Sequence, residues 1–455
     1  MKKAVISFYL FTALCFVSLQ TAAAQITDEQ IAAKAEEYLS AAVKFDHFSG
    51  SVLVARDGKP IFSRGYGMAN YELKMPNSPR TAFRLGSITK QFTSAAIMQL
   101  QERGKLSITD SICKYLENCP AAWQPITIRH LMTHTSGIPN YTSFPGFFEK
   151  NSVQPYTFAG FVDEFRSKPL EFTPGEKFAY SNSGYYLLGL IIEKASGATY
   201  AHFLRENIFT PLMMNNSGYD DTRSLVPNRA SGYIWSDKSF VNAPYLNMVI
   251  PYAAGALYST TEDLLRWEQS LNTEKILKKK SLDEIFTPFK ENYGYGWGIN
   301  KLGEHKLISH GGGINGFATN IMRFPDDRLT VIVLSNNEEA KSGAIARNLA
   351  AIVFGMPYKI PEEIKSVEIA ADTLKKYAGE YQLAPNFVIT VTVEDGKLMA
   401  QATGQPKFQL FAKSESEFFL TVVDAQVTFV KNDKGEVTSL VLHQGGRDTP
   451  GQKIK

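Results

Sequence analysis

Strand-forming runs stand on both sides of a long helical block, and that order restricts the fold more than any other feature of the chain. Residues 50–56 and 61–69 alternate or run apolar around Asp57-Gly58, a strong hairpin signal. An amphipathic helix over 27–45 precedes them, with Thr27 and Gln30 as a capping box. The middle of the chain reads as helices over 126–132, 158–165, 185–195, 200–209 and 260–271. Strands return at 294–299, 306–309, 317–324 and 329–335, and 340–354 closes as a helix. One sheet built from the two outer pieces, with the helical block inserted, satisfies this order: an α/β lobe interrupted by an all-α lobe. A cleft between two such lobes is a natural place for a site.

Residues 355–366, with Pro357 and Pro361, read as a linker. Beyond them lie at least six short strand-like runs, at 387–393, 397–402, 408–411, 417–423, 426–431 and 437–442, with turns at Asp395-Gly396 and Lys434-Gly435. They predict a small antiparallel barrel or sandwich. The amino-terminal end reads as a secretory leader over 1–24: Lys2 and Lys3, an apolar stretch, and Ala22-Ala23-Ala24 as the cleavage site. The divisions are therefore 1–24 leader, 25–355 main domain, 356–366 linker and 367–455 β module. Removing the leader lowers the net charge from +3 to +1, a balance that points neither to nucleic acid nor to acidic membranes. No other run is long enough to span a bilayer. Cys113 and Cys119 remain, and a small disulfide loop or two free thiols both fit.

Three short stretches carry chemistry. Ser87-Ile88-Thr89-Lys90 opens a helix predicted over 89–101, after Gly86, which allows a sharp turn. A spacing of three sets Lys90 on the helical face of Ser87. A serine hydroxyl needs a base, and an amine can be that base if burial and a helix dipole lower its pKa. The helix end also aims N–H groups at a developing oxyanion. Ser111-Ile112-Cys113-Lys114 repeats the spacing among turn residues and reads as chance. Tyr180-Ser181-Asn182 lies on a loop before a helix. Its tyrosine relays a proton if a nearby ammonium lowers its pKa, and its asparagine can hold Lys90 and a substrate amide. Tyr245-Leu246-Asn247 is the decoy there. His310-Gly311-Gly312-Gly313 follows a strand, where glycines let a substrate lie along the strand edge.

The order and spacing of these stretches resemble the serine β-lactamase and penicillin-binding-protein superfamily, specifically the group around class C β-lactamases, D-alanyl-D-alanine carboxypeptidases and related esterases. The resemblance covers roughly residues 45–354. It includes Phe83-Arg84-Leu85-Gly86, Leu131-Met132-Thr133-His134-Thr135-Ser136-Gly137, Ala254-Gly255-Ala256-Leu257 and Tyr295-Gly296-Trp297-Gly298. It implies that Ser87 is the acylated nucleophile and that Lys90 and Tyr180 share the general-base work. It implies that Asn182 orients Lys90 and substrate, and that the N–H groups of Ser87 and Gly313 form an oxyanion hole. His310, Gly311 and Gly312 occupy the third motif, where β-lactamases usually carry Lys-Thr-Gly. A histidine there is a weaker, pH-dependent cation for a substrate carboxylate, which leans towards a peptidase or esterase rather than a β-lactamase. The β module resembles a lipocalin-like domain.

The expected activity is therefore acyl transfer by a serine hydrolase on a small molecule or peptide, with no cofactor. A β-lactamase, or a penicillin-recognising protein without catalysis, is the alternative on the same fold. An α/β-hydrolase is disfavoured because no Gly-x-Ser-x-Gly elbow occurs. His130 and His134 lie four apart, but His-Glu-x-x-His is absent.

Overall fold

The computed structural model describes residues 26–363, 365–420, 425–444 and 447–455. The expected leader lies outside the described residues. The chain divides into two compact units between Pro361 and Glu362.

The first unit is organised by a six-stranded antiparallel sheet. It contains β1 (Gly50–Arg56), β2 (Lys59–Tyr66), β3 (Gly298–Leu302), β4 (His305–Ile314), β5 (Phe317–Phe324) and β6 (Leu329–Ser335), in the order β3-β4-β5-β6-β1-β2. The first strands of the chain thus pair with its last ones: Val52 faces Val333 and Leu53 faces Ile332. Both faces of the sheet are covered. Val52, Val54, Val331 and Val333 pack with α1 (Asp28–Phe45) and a closing helix over Ser342–Phe354. Leu53, Ala55, Ile332 and Leu334 pack into the helical lobe. Burial on both sides is why β1 and β6 carry apolar runs, at 52–55 and 331–334, rather than a strict alternation.

The expected capping box holds: the Thr27 hydroxyl accepts from Gln30 N–H and the Gln30 side chain accepts from Thr27 N–H. The expected strand over 294–299 begins only at Gly298. Gly296 takes φ +79°, and a Cβ on it would lie 2.8 Å from the Lys90 carbonyl, so the segment packs against the Lys90 turn instead of pairing. Cys113 and Cys119 form a disulfide with Cα atoms 5.3 Å apart. Replacing both by serine should cost about 2 kcal/mol in urea unfolding, the scale for so short a loop.

The second unit is a closed eight-stranded antiparallel barrel. Its strands are β7 (Gly379–Ala384), β8 (Phe387–Glu394), β9 (Lys397–Ala402), β10 (Lys407–Ala412), β11 (Glu417–Phe419), β12 (Ala425–Lys431), β13 (Val437–Gln444) and β14 (Arg447–Lys453). The pairing of β7 with β14 closes it. Two strands go beyond the six expected. The sequence of β14 contains Pro450 and little apolar residue, and β7 begins at Gly379, so neither carries a strand pattern. The run expected over 417–423 is a strand at Glu417–Phe419, and 421–423 lies outside the described residues.

Candidate active site

The site forms where the helical lobe meets β4. Ser87 sits in a 3₁₀ turn, Gly86–Ile88, that leads into α2 (Thr89–Glu102), rather than in the α-helix itself. Gly86 has φ +54°. The turn lies against β4 so closely that a Cβ on Gly312 would collide with the Leu85 carbonyl and the Thr319 hydroxyl. Only glycine fits there. A Cβ on Gly86 would lie 2.8 Å from Gly313 N, so the Gly313 backbone stands beside Ser87's own. The His-Gly-Gly-Gly stretch is thus part of the strand itself, paired with β5 from His310–Ile321 to Gly313–Ala318, and not a turn after it.

Lys90 is fully buried. Its Nζ lies 2.9 Å from Ser87 Oγ, 2.8 Å from Asn182 Oδ1 and 2.8 Å from the Ala254 carbonyl. Burial pushes its pKa well below that of an ordinary lysine. Two of its three partners can only accept. A neutral amine has two hydrogens and one lone pair. As an ammonium Lys90 donates to all three; when it is neutral its two hydrogens serve Asn182 and Ala254 and its lone pair faces the Ser87 hydroxyl.

Asn182 is the first residue of a helix, Asn182–Ser196, capped by the Ser181 hydroxyl. Its orientation is set by residues without a role in the sequence reading. Asn140 Oδ1 accepts from the Asn182 backbone N–H at 3.0 Å, and Thr142 Oγ1 accepts from Asn182 Nδ2 at 3.2 Å. These bonds fix which end of the Asn182 amide faces Lys90. The Ala254 stretch stood out in the sequence, but nothing local says that it meets Lys90.

The ring of Tyr180 lies 4.9 Å from Lys90 Nζ. Burial raises the Tyr180 pKa, and the Ser87 hydroxyl draws it back only in part. The lowered tyrosine pKa expected beside an ammonium is therefore not found, because burial outweighs the hydrogen bond from Ser87. Tyr180 stays a phenol.

His310 Nδ1 lies 2.6 Å from the Gly311 carbonyl, so it carries the proton, and Nε2 accepts from the Tyr293 hydroxyl at 2.9 Å. His310 is half-buried, and the surrounding protein and nearby Lys90 disfavour its charge. Its pKa falls to about 4, with burial the larger cause and Lys90 the second. The pH-dependent cation expected from the sequence is thus a neutral imidazole at neutral pH. The His310 ring resonances should show no titration between about pH 5 and 8 by NMR; a midpoint near the ordinary value of about 6.5 would contradict this assignment.

His134 also belongs to this cluster. Its Nδ1 accepts from Ser181 N–H at 3.1 Å, and its ring packs 4.2 Å from that of Tyr180. His130 is held elsewhere, its Nδ1 accepting from Thr127 N–H. Among the described residues no group of three or more His, Cys, Asp or Glu is placed to hold a metal.

Residues 36–354 match the family model described as Beta-lactamase. The chain belongs to the β-lactamase family. Residues 364–453 match a second family, described as a domain of unknown function (DUF3471). Penicillin-binding protein 4* of Bacillus subtilis is 34% identical over 437 residues, 90% of this chain and 95% of that protein. Among solved structures, the octameric penicillin-binding protein homologue from Pyrococcus abyssi superposes with a TM-score of 0.66 at 28% identity, over 92% of this chain and 99% of that one. A D-stereospecific amidohydrolase from Streptomyces sp. superposes with a TM-score of 0.61 at 27% identity, over 72% and 99%. This β-lactamase-family fold thus joins an antiparallel sheet flanked by helices to a carboxy-terminal eight-stranded barrel. No helix among the described residues is long and apolar enough to cross a membrane.

Proposed function

We propose that this β-lactamase-family protein is a serine hydrolase that forms an acyl-enzyme on Ser87, acting on D-residue peptides or amides and on esters. The observation that carries this reading is the environment of Lys90: a buried amine with a lowered pKa, held by two pure acceptors and in hydrogen-bond contact with the Ser87 hydroxyl. Ser87 Oγ attacks the substrate carbonyl as its proton passes to Lys90 Nζ. The N–H groups of Ser87 and Gly313 receive the oxyanion. The proton then goes to the departing nitrogen or oxygen, with the Tyr180 phenol as donor and Lys90 restoring it. An acyl ester remains on Ser87, and water releases the acid by the same steps in reverse order. Asn182 holds Lys90 in place, and His310, Gly311 and Gly312 line the edge along which the substrate lies. The neutral state of His310 supports neutral amides and esters over substrates gripped by a carboxylate. The likeness to a D-stereospecific amidohydrolase supports the D-residue class. The Cys113–Cys119 disulfide suits an oxidising compartment and so supports export.

Intact mass after a fluorophosphonate probe tests this reading. One adduct is expected on the wild type and none on Ser87→Ala. An adduct on both, or on neither, would refute the assignment of Ser87 as the reactive nucleophile.

A further inference from the structure

We propose that the carboxy-terminal barrel is itself a binding module, which takes one small neutral apolar molecule into the end of its bore remote from the helix Ala371–Tyr377. The inference concerns the barrel alone and stands apart from the reading of Ser87.

The bore is filled unevenly. At one end the helix Ala371–Tyr377 buries Leu374 and Tyr377 in the barrel core. The Tyr377 ring stacks on Phe429 at 4.5 Å and meets Phe418 edge-on at 5.3 Å. The Tyr377 hydroxyl donates to the Glu415 carbonyl, in the turn between β10 and β11. That end is plugged with aromatic rings.

Towards the other end the inward positions become small. Ala400 and Ala402 on β9 and Ala425 on β12 share a cavity with Phe387, Phe408 and Leu442. An eight-stranded barrel is wide enough either to be filled by its own side chains or to hold one small ligand. Three alanines at inward positions leave the second outcome, a cavity of about 190 Å³. An apolar cavity of about 150 Å³ already takes a benzene ring.

The polarity of the lining sets the ligand class. Among the described residues no charged side chain borders the cavity, and the polar members are two carboxamides, Gln405 in the β9–β10 turn and Gln444 at the end of β13. A charged group would lose its water there with no counter-ion. A single aromatic ring or short alkyl chain that carries one hydroxyl, amide or ester group matches the apolar wall and the two carboxamides together.

Benzyl alcohol and toluene are suitable probes, followed by saturation-transfer NMR on the full chain carrying Ser87→Ala, which removes turnover. Benzyl alcohol should bind, and toluene should bind more weakly because it leaves the carboxamides unpaired. Ala402→Leu and, separately, Ala425→Phe should each lower the affinity at least about tenfold by filling the space. Gln444→Ala should reduce the preference for benzyl alcohol over toluene. The proposal is overturned if benzyl alcohol does not bind, or if its binding survives unchanged in whichever of the two filled variants keeps the barrel's far-UV spectrum.

Discussion

Lys90→Met should lower kcat/KM for an activated ester by about 10⁴-fold, the upper end for loss of a positioned base, with the far-UV spectrum unchanged. Methionine keeps the buried stem and removes only the amine. The loss leaves Asn182 Oδ1 and the Ala254 carbonyl without a donor, at about 1–3 kcal/mol each, but it also ends the burial of a group that prefers water. The fold should therefore survive. The sign of the pH dependence follows from the direction of the shift. Lys90 accepts the Ser87 proton only when neutral, so activity rises as pH rises through the lowered Lys90 pKa. That rise should vanish in Lys90→Met. Tyr180→Phe should cost less, about 10²-fold, because it removes a proton relay and not the first base. Stopped-flow measurement of acylation on both variants decides the order. A larger loss in Tyr180→Phe than in Lys90→Met would give the first proton transfer to the tyrosine.

Arg323→Leu should destabilise the protein by about 3–5 kcal/mol in denaturant titration. Arg323 Nε lies 3.1 Å from Glu268 Oε1, and the two side chains are only 3% and 7% exposed. Arg323 also donates to Asn272 Oδ1 at 2.5 Å and lies over the Phe286 ring. Removing the guanidinium leaves the buried Glu268 carboxylate with no cation beside it and only the 3.4 Å hydrogen bond from Asn272 Nδ2. The pair ties β5, which aligns the His310 strand, to the helix Thr261–Ser270 on the helical lobe. Replacing Glu268 by leucine in the same chain should recover most of the loss, since two apolar side chains leave no charge to compensate. A single variant that costs less than about 1 kcal/mol would mean that water reaches Glu268.

Much of this was legible in the sequence because it is local. Periodicity, the Thr27 cap and Asp57-Gly58 specify elements through neighbours a few residues apart, and an apolar run with turns at its ends specifies a strand wherever the strand finally pairs. Ser87 and Lys90 are linked by one helical turn, so their closeness also follows from spacing. The small antiparallel barrel expected of the β module is found, and the structure adds β7 and β14, the two strands that close it. What spacing could not supply are contacts between distant residues and the charge states they impose. Whether Cys113 and Cys119 join depends on the geometry of the chain between them. The lowered Lys90 pKa depends on burial in a pocket where its partners Ala254 and Asn182 lie 164 and 92 residues away. The low His310 pKa depends on burial and on Lys90, and the raised Tyr180 pKa on burial. Desolvation is a property of the assembled site, so residue types and their order were determined by the sequence alone, while their protonation, and with it the division of labour among them, was decided only by the tertiary structure.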